Sequence, residues 1–290
     1  MSDSIASLRR KIASAGDLQG VVRTMKALAA SGIGQYEESV RSLAEYYRTV
    51  ELGLSVCLKG IGGSTPLAKP DHPSKAVTGA VVFGSDQGLV GQFNETIADH
   101  TASFLKSLPG RPQVWVVGER IRWLLADAGL QVVGSFTAPA SVQAIAQLVG
   151  EIQVETERCP GALYVIHNRP VTGALYEPVD QRLLPLDEEW RQDLIRVEWP
   201  TANLPEVLCS TSATLAALIR GYLFISLFRA CAESLASENA SRLAAMQRAE
   251  KNIDELLATL HVKFQSLRQS SIDEELFDVI SGFEALGGSG

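Results

Sequence analysis

The sequence is poor in several residue types, and each shortage argues against a class of protein. The four cysteines among 290 residues form no C-x-x-C pair, which disfavours a zinc ribbon, a thioredoxin motif and a disulfide scaffold. We therefore expect reduced thiols, as in a cytosolic compartment, at Cys57, Cys159, Cys209 and Cys231. The four histidines lack metal-ligand spacing, and no catalytic constellation is visible, so neither a metal nor a cofactor is predicted.

Positive charge and uninterrupted apolar runs are also scarce. The chain has 26 basic and 33 acidic residues, a net charge of −7, which argues against an electrostatic nucleic-acid binder. Arg220 and Arg229 interrupt the most apolar window, 212–232, and the first residues lack the apolar stretch of a signal peptide. We expect a chain that does not cross a membrane, which is compatible with a place on a membrane complex.

Proline is missing from both ends of the chain, and the first end carries a 3.5-residue repeat. Along 4–59, thirteen of fifteen positions spaced alternately by three and four residues are apolar or aromatic. Such a narrow stripe predicts a coiled-coil helix that needs a partner. The fifteen positions are Ile5, Leu8, Ile12, Ala15, Gln19, Val22, Lys26, Ala29, Ile33, Tyr36, Val40, Leu43, Tyr47, Val50 and Leu54.

The last segment, 206–286, repeats this spacing. Seven of nine positions from Leu243 to Ser271 are apolar, and the stripe resumes after a phase slip at Ile272. The matching periods predict antiparallel pairing of the two end segments, with the longer C-terminal helix extending beyond its partner. The nine positions are Leu243, Met246, Glu250, Ile253, Leu257, Leu260, Phe264, Leu267 and Ser271, followed by Ile272, Leu276, Val279, Phe283 and Leu286.

Between the ends, short β-branched runs alternate with helical stretches. This alternation predicts an α/β domain with a mostly parallel, Rossmann-like sheet of five strands. The predicted strands are 76–83, 113–117, 131–136, 162–167 and a weaker 179–186, with helices at 94–107, 119–128 and 141–157.

The whole division is therefore a coiled-coil helix at 1–59, a linker at 60–75 and the α/β foot domain at 76–200. A second coiled-coil helix follows at 206–286, with a flexible tail at 287–290.

Motifs in all three segments resemble a known family. The runs are SLRRKIASAGDLQGVVRTMKALAAS at 7–31, GSDQGLVGQFN at 84–94, ASENASRLAAMQRAEKNIDELL at 236–257 and LRQSSIDEELFDVISG at 267–282. Together they are similar to the gamma subunit of F-type ATP synthases. The resemblance implies a non-catalytic central-stalk rotor that couples an ion-driven ring to ATP synthesis or hydrolysis.

The same resemblance implies a set of partners. The coiled coil would lie inside the head of alpha and beta subunits, and the foot domain would lie on the membrane c-ring beside the epsilon subunit. The complex would sit peripherally on the cytoplasmic face of the cell membrane.

Site residues are likewise implied by the motif matches. Contacts with the alpha/beta head would come from Met25, Arg242, Arg268, Gln269 and Asp273. Taken alone, these side chains are also compatible with a solvated helix face or with filling of the helix seam.

A loop in the foot domain would seat it on neighbouring subunits, through Gly84, Asp86, Gly88, Gly91 and Asn94. Because this loop follows a strand and precedes a helix, phosphate binding is the alternative, although it contains neither G-x-G-x-x-G nor a Walker A motif.

Several positions depart from the family pattern. Gln87 and Val90 replace an arginine and a cysteine, Asp273 replaces a threonine, and 32–35 lacks the usual basic residues. These differences suggest a divergent branch, such as an alternative bacterial ATPase. Two other functions stay open: a nucleotide-binding α/β enzyme with helical arms, and a coiled-coil scaffold that does not rotate.

Overall fold

The computed structural model describes residues 4–60, 78–110, 112–157, 161–172, 174–186, 188–203, 205–207 and 210–287. Two very long helices, α1 and α6, flank a region of five strands and four shorter helices. In chain order the elements are α1 (Ile5–Gly60), β1 (Gly79–Phe83), α2 (Phe93–Ser107), β2 (Gln113–Val117), α3 (Glu119–Asp127), β3 (Gln131–Phe136), α4 (Val142–Thr156), β4 (Leu163–Val171), β5 (Ala174–Leu184), α5 (Glu188–Arg196) and α6 (Thr211–Gly287).

The seams predicted in the two long helices are confirmed. All fifteen seam positions of α1 and all nine of α6 from Leu243 to Ser271 are buried or half-buried. Several glycines in α1 lower its helix propensity, so the burial of this stripe must supply much of its stability.

The strands form one sheet in the order β3-β2-β1-β4-β5. Neighbouring strands among β1 to β4 are parallel, and β5 pairs antiparallel with β4 along the edge. The predicted fold class, long antiparallel helices with a mostly parallel five-stranded α/β domain, is thereby confirmed. The fifth strand starts earlier than predicted, at Ala174 rather than Val179.

The sheet is covered on both faces, as its continuous apolar strands require. Val82 and Val116 pack with Ile97 of α2 and Ile121 of α3 on one face. On the other face, strand residues pack with α4 and with the stretch of α6 around Cys231. A long terminal helix therefore takes the place of an ordinary crossover helix in this layer.

The contacts between residues divide the chain into two units. The hairpin unit comprises Met1–Leu28 and Leu243–Gly290, and the sheet unit comprises Ala29–Arg242.

Within each unit the two long helices are antiparallel. In the hairpin unit, the Arg9 guanidinium lies 5.5 Å from the centroid of the Phe264 ring, and Arg23 binds Glu250.

In the sheet unit, Gly32 is adjacent to the side chain of Asn239, and the Tyr47 and Tyr222 rings are 6.2 Å apart. The predicted pairing is thus confirmed inside each unit.

Helix α5 was not expected from the sequence. Its Leu194 joins Val50, Leu54, Tyr222 and Ile225 in a cluster that packs α5 against α1 and α6. The five-part division of the chain stays a prediction. Its linker beyond Gly60 and its tail at 288–290 lie outside the described residues.

Helix α6 contains one stretch that is apolar and long enough, by composition and length, to cross a membrane. Of that stretch, 44% is buried within the protein. The expectation that the chain does not span a membrane stays a prediction.

Candidate functional site

The last turns of α6 expose an apolar surface in the hairpin unit. We name it the α6 end surface, and its five side chains are between 47% and 72% exposed. Helix α1 begins at Ile5, and Arg9 in its second turn lies over the ring of Phe264, so α6 continues well beyond the part that α1 covers. The α6 end surface consists of Ile272, Leu276, Phe277, Val279 and Ile280.

Three of the predicted contact residues border this surface. Arg268, Gln269 and Asp273 are all exposed on α6. No hydrogen bond or ion pair occupies these three side chains within the described part of the chain. Their polar groups are therefore available to a partner, together with the apolar side chains next to them.

Met25 occupies a different environment, since it packs against the seam of the hairpin unit. It is half-buried beside the cluster of Val22, Met246 and Ile253. The packing therefore agrees with the simpler expectation from the sequence, in which Met25 fills the seam between the helices.

Side-chain hydrogen bonds and ion pairs join α1 and α6 beside the same seam. Arg23 Nε donates to Glu250 Oε1 at 2.9 Å, Lys26 binds the other carboxylate oxygen, and Gln19 binds Asp254. The hydrogen bonds from Lys26 and Arg23 hold the pKa of Glu250 below its usual range. These pairs fix the register of the two helices, although exposed ion pairs contribute little to stability.

Arg242 lies in the sheet unit and is engaged internally. Its Nη2 donates to Glu238 Oε1 at 2.5 Å, and both side chains are largely buried. Burial raises the pKa of Glu238, and the charge of Arg242 opposes that rise. A contact between Arg242 and a partner stays a prediction, and it would require competition with Glu238.

The loop after β1 is built around Ser85 and Asn94. Ser85 N donates to Asn94 Oδ1 at 3.0 Å, and Asn94 Nδ2 donates to Ser85 Oγ at 2.8 Å. Gly84 must be glycine because a Cβ there would lie 2.5 Å from Ile121 Cβ. Gly84 and Asn94 therefore hold the loop from inside.

Asp86 links its own loop to the start of α3 and to the segment that follows β3. Its Oδ1 accepts from Glu119 N at 2.9 Å and its Oδ2 accepts from Ala138 N at 2.9 Å. The first bond places a carboxylate at the N-terminus of α3, where a bound phosphate would otherwise be favoured. The geometry gives Asp86 a structural role and leaves little support for the nucleotide alternative.

The tip of the loop is the part that faces outward. Leu89 and Gly91 have positive φ angles of 63° and 58°, and both are exposed, whereas Gly88 is half-buried near Arg120. A non-glycine residue in this conformation is uncommon. The predicted seat on neighbouring subunits would thus use the loop tip and not Gly84, Asp86 or Asn94.

The middle of β4, just past the point where its parallel pairing with β1 ends, carries polar groups that the sequence motifs did not indicate. Asn168 Nδ2 donates to Phe93 O at 3.1 Å, and Ser237 Oγ donates to Asn168 O at 3.0 Å. Nearby, His167 Nε2 lies 2.9 Å from Glu233 Oε2. In open α/β sheets the edge where the parallel strands end is where ligands bind, and here α6 covers much of it.

A signal for this arrangement was present in the sequence. Residues 230–238 are mostly small or apolar on every side of the helix, a pattern typical of a helix that is buried all round. Within the described residues, no group of His, Cys, Asp and Glu is arranged to hold a metal ion.

The fold and its exposed surfaces define a class of protein: it has a Rossmann-like sheet, two long helices that are antiparallel within each unit, and an exposed apolar stretch near the end of α6. The chain also matches the family model described as ATP synthase over residues 4–286. The chain belongs to the ATP synthase family.

Related sequences cover nearly the whole chain. It is 28% identical over 293 residues to the ATP synthase gamma chain of Syntrophus aciditrophicus (strain SB), covering 98% of both chains. It is 27% identical to the ATP synthase gamma chain of Glaesserella parasuis serovar 5 (strain SH0165), covering 96% of this chain and 98% of the relative.

Solved structures share the fold. The central stalk and c-ring structure of the Tetrahymena thermophila mitochondrial ATP synthase contains a similar chain, with a TM-score of 0.56 and 20% identity over 79% of this chain and 99% of that one. A chain of the Euglena gracilis mitochondrial ATP synthase rotor has a TM-score of 0.59 and 15% identity, over 92% of this chain and 98% of that one.

Proposed function

We propose that this chain is the central-stalk rotor subunit of an F-type ATP synthase or ATPase. It would couple rotation of an ion-driven ring to ATP synthesis or hydrolysis in a head of alpha and beta subunits. The observation that carries this proposal is the α6 end surface, bordered by Arg268, Gln269 and Asp273. Exposed apolar patches of this kind mark sites of protein–protein contact.

The surface suits a rotor because it can present different side chains to different neighbouring subunits. A rod influences a distant site when its contacts favour one conformation of a partner over another. The helix end carries apolar groups, the guanidinium of Arg268, the amide of Gln269 and four carboxylates on a single α-helix, so each rotational position offers a neighbouring subunit a different set. The carboxylates are those of Asp273, Glu274, Glu275 and Asp278. Arg268 adds the planar fork that pairs with carboxylates.

The sheet unit would hold the other partners. We assign its exposed loop tip around Leu89 to contacts with the epsilon subunit and the c-ring, which would place the complex peripherally on the cytoplasmic face of the cell membrane. Catalysis would reside in the alpha and beta subunits. The internal roles of Asp86 and Asn94 support a non-catalytic chain, because these polar groups of the loop serve the fold.

Reconstitution of the whole complex in lipid vesicles tests this function. We expect the double substitution Arg268→Ala with Gln269→Ala to lower the number of ions pumped per ATP hydrolysed by about fivefold. That factor corresponds to about 1 kcal/mol of lost contact energy with the head. Assembly and the melting temperature of the isolated chain should stay unchanged, since both side chains are exposed.

A matched control lies on the same helix. Lys251 and Glu255 are also exposed and form a loose ion pair at 4.0 Å, so Lys251→Ala with Glu255→Ala should leave coupling intact. Equal coupling in both double variants would favour a scaffold that does not rotate. Unchanged assembly and ATP turnover when the chain is omitted would overturn the whole proposal.

A further inference from the structure

The seam between α1 and α6 opens in the middle of the sheet unit. Tyr36 before this stretch and Val50 after it are buried, with only 7% and 4% of their surface exposed. Between them, Val40, Leu43 and Tyr47 are half-buried, although they too are seam positions of α1. The close packing that is usual in protein interiors is therefore interrupted over roughly two turns of α1.

A cavity of about 340 Å³ occupies this opening. The three half-buried seam residues form its wall together with Ala44 of α1 and Ile225 of α6, and Gln181 of β5 also lines it. All of these residues belong to the sheet unit. Ligand pockets commonly enclose roughly 300 to 1,000 Å³ and combine an apolar wall with a few polar groups. The opening is thus large enough, and apolar enough, for the body of a small ligand.

A buried serine adds a hydroxyl group to the cavity. Ser226 of α6 lines it and is only 7% exposed, and its side chain has no hydrogen-bond partner among the described residues. Its oxygen is not fully enclosed, in contrast to Ser234 Oγ, so a ligand can reach it. Ser237, another buried serine of α6, donates to Asn168 O at 3.0 Å. Because buried polar groups usually have a partner, the Ser226 hydroxyl is a candidate contact for a ligand.

The polar lining carries positive charge. Arg41 and Arg229 both line the cavity, and none of its lining residues within the described part of the chain is acidic. Arg229 Nε donates to Glu233 Oε1 at 2.7 Å, and Arg41 Nη2 forms an ion pair at 2.8 Å with Glu38. Neither glutamate lines the cavity, and each guanidinium keeps most of its five N–H donors. The cavity therefore favours a ligand with negative charge.

We propose that this cavity binds a carboxylate with a compact, rigid apolar body. The body fills the opening of the seam and recovers the contacts that the open packing lacks. Ser226 and Arg229 are three residues apart on α6, so both side chains lie on one face of the helix.

The carboxylate accepts hydrogen bonds from Ser226 Oγ and from the free N–H groups of Arg229, whose planar fork suits this group. A rigid body is favoured because it loses little conformational entropy on binding. The site is independent of the contacts proposed for the α6 end surface.

Isothermal titration calorimetry on the full chain tests the proposal with 2-naphthoate, and we expect saturable binding of one molecule per chain. Two probes dissect the ligand: 2-naphthamide keeps the rings but lacks the charge, and acetate keeps the carboxylate but lacks the rings. Each should bind at least about tenfold more weakly than 2-naphthoate. Equal affinity for 2-naphthamide would overturn the role of the arginine, and equal affinity for acetate would overturn that of the apolar opening. Absence of saturable 2-naphthoate binding would overturn the whole proposal.

The two serines of α6 give the sharpest result. Ser226→Ala should weaken 2-naphthoate binding about tenfold, because it removes a hydrogen bond to a charged group. Its melting temperature should stay unchanged, since the hydroxyl has no internal partner. The matched control Ser237→Ala breaks the bond to Asn168, so it should melt earlier and keep its affinity within about twofold. Unchanged affinity in Ser226→Ala would show that its hydroxyl does not contact the ligand.

Two further variants locate the site. Arg229→Gln removes a cation and Ala44→Phe fills the opening from an exposed position, and each should weaken binding about tenfold. Their controls are Arg122→Gln, a half-exposed arginine paired with Glu119 on α3, and Ala30→Phe, at an exposed position of α1 that does not line the cavity. Both controls should bind 2-naphthoate normally. Affinity that survives Arg229→Gln and Ala44→Phe would show that the carboxylate binds elsewhere on the chain.

Discussion

Two stretches of α6 belong to the same helix yet have opposite surroundings. Every residue from Cys231 to Glu238 is buried, enclosed by the sheet, α4 and α1, whereas the side chains from Ile272 to Ile280 named above stand exposed. The first stretch is dominated by small side chains and the second by large apolar ones. The comparison teaches that small residues allow close enclosure within this fold, while large exposed ones indicate a surface meant for another chain.

Adding volume to the enclosed stretch should have the largest effect. Ala232 is completely buried, so Ala232→Leu should lower the free energy of unfolding by about 3 kcal/mol through overpacking. Chemical denaturation measures the change, provided that the unfolding curves from circular dichroism and from tryptophan fluorescence coincide. The control Ala217→Leu lies on an exposed face of the same helix and should change stability by less than about 0.5 kcal/mol. Equal effects would mean that the stretch around Ala232 is not enclosed.

The loop next to the enclosed stretch offers a second test. Ser241 of α6 binds the carbonyl oxygen of Val90, so the loop depends on the same packing. Gly84→Ala should cost about 2 kcal/mol because its Cβ would clash with Ile121. Gly88→Ala, whose nearest neighbour is the flexible end of Arg120 at 3.5 Å, should be tolerated. Thermal melting separates the two, and similar melting temperatures would refute the internal role of Gly84.

A third test truncates one leucine in the buried seam of the hairpin unit and one on the α6 end surface. Leu260 is buried in the seam, so Leu260→Ala should lower stability by about 2 kcal/mol, and Leu276→Ala by less than about 0.5 kcal/mol. In the reconstituted complex, Leu276→Ala should lower the number of ions pumped per ATP hydrolysed more than Leu260→Ala does, the reverse of their order in stability. A strong loss of stability in isolated Leu276→Ala would show that the α6 end surface is covered by the chain itself.

The smallest effect is expected from pH. The folded-state pKa of Glu233 is lowered, so its contribution to stability is present above the ordinary glutamate pKa and disappears as pH falls through the lowered value. Glu233→Gln should therefore reduce stability by about 1 kcal/mol near neutral pH and by progressively less in acid. Denaturation at a series of pH values measures the difference. A gap that widens toward low pH would contradict the ionised state of Glu233.

The sequence predicted regular elements well and side-chain roles less well. The strands at 113–117 and 131–136 have the predicted bounds, and the seam positions from Ile5 to Leu54 face inward. By contrast, α5 was missed, because its nine residues are fewer than the roughly 10 to 12 over which a helical period is usually recognised in a sequence. Packing against α1 and α6 stabilises it in the fold.

The candidate site shows the same limit. Arg268, Gln269 and Asp273 were predicted as contacts, and they are exposed where a partner can reach them, so their contact with the head stays a prediction. Arg242 was placed in the same group, although its guanidinium is tied to Glu238. Motif spacing cannot separate these cases, because whether a helix residue is free depends on what packs around it.

The sequence by itself determined the two long helices and the alternation of strands and helices, since periodicities of 3.5, 3.6 and 2 residues arise from neighbours along the chain. Only the tertiary structure decided that Asp86 caps a helix 33 residues away and that His167 meets Glu233 66 residues away. It also decided which part of α6 is enclosed and which part is exposed. These outcomes depend on elements brought together across the fold, and no local repeat encodes that meeting.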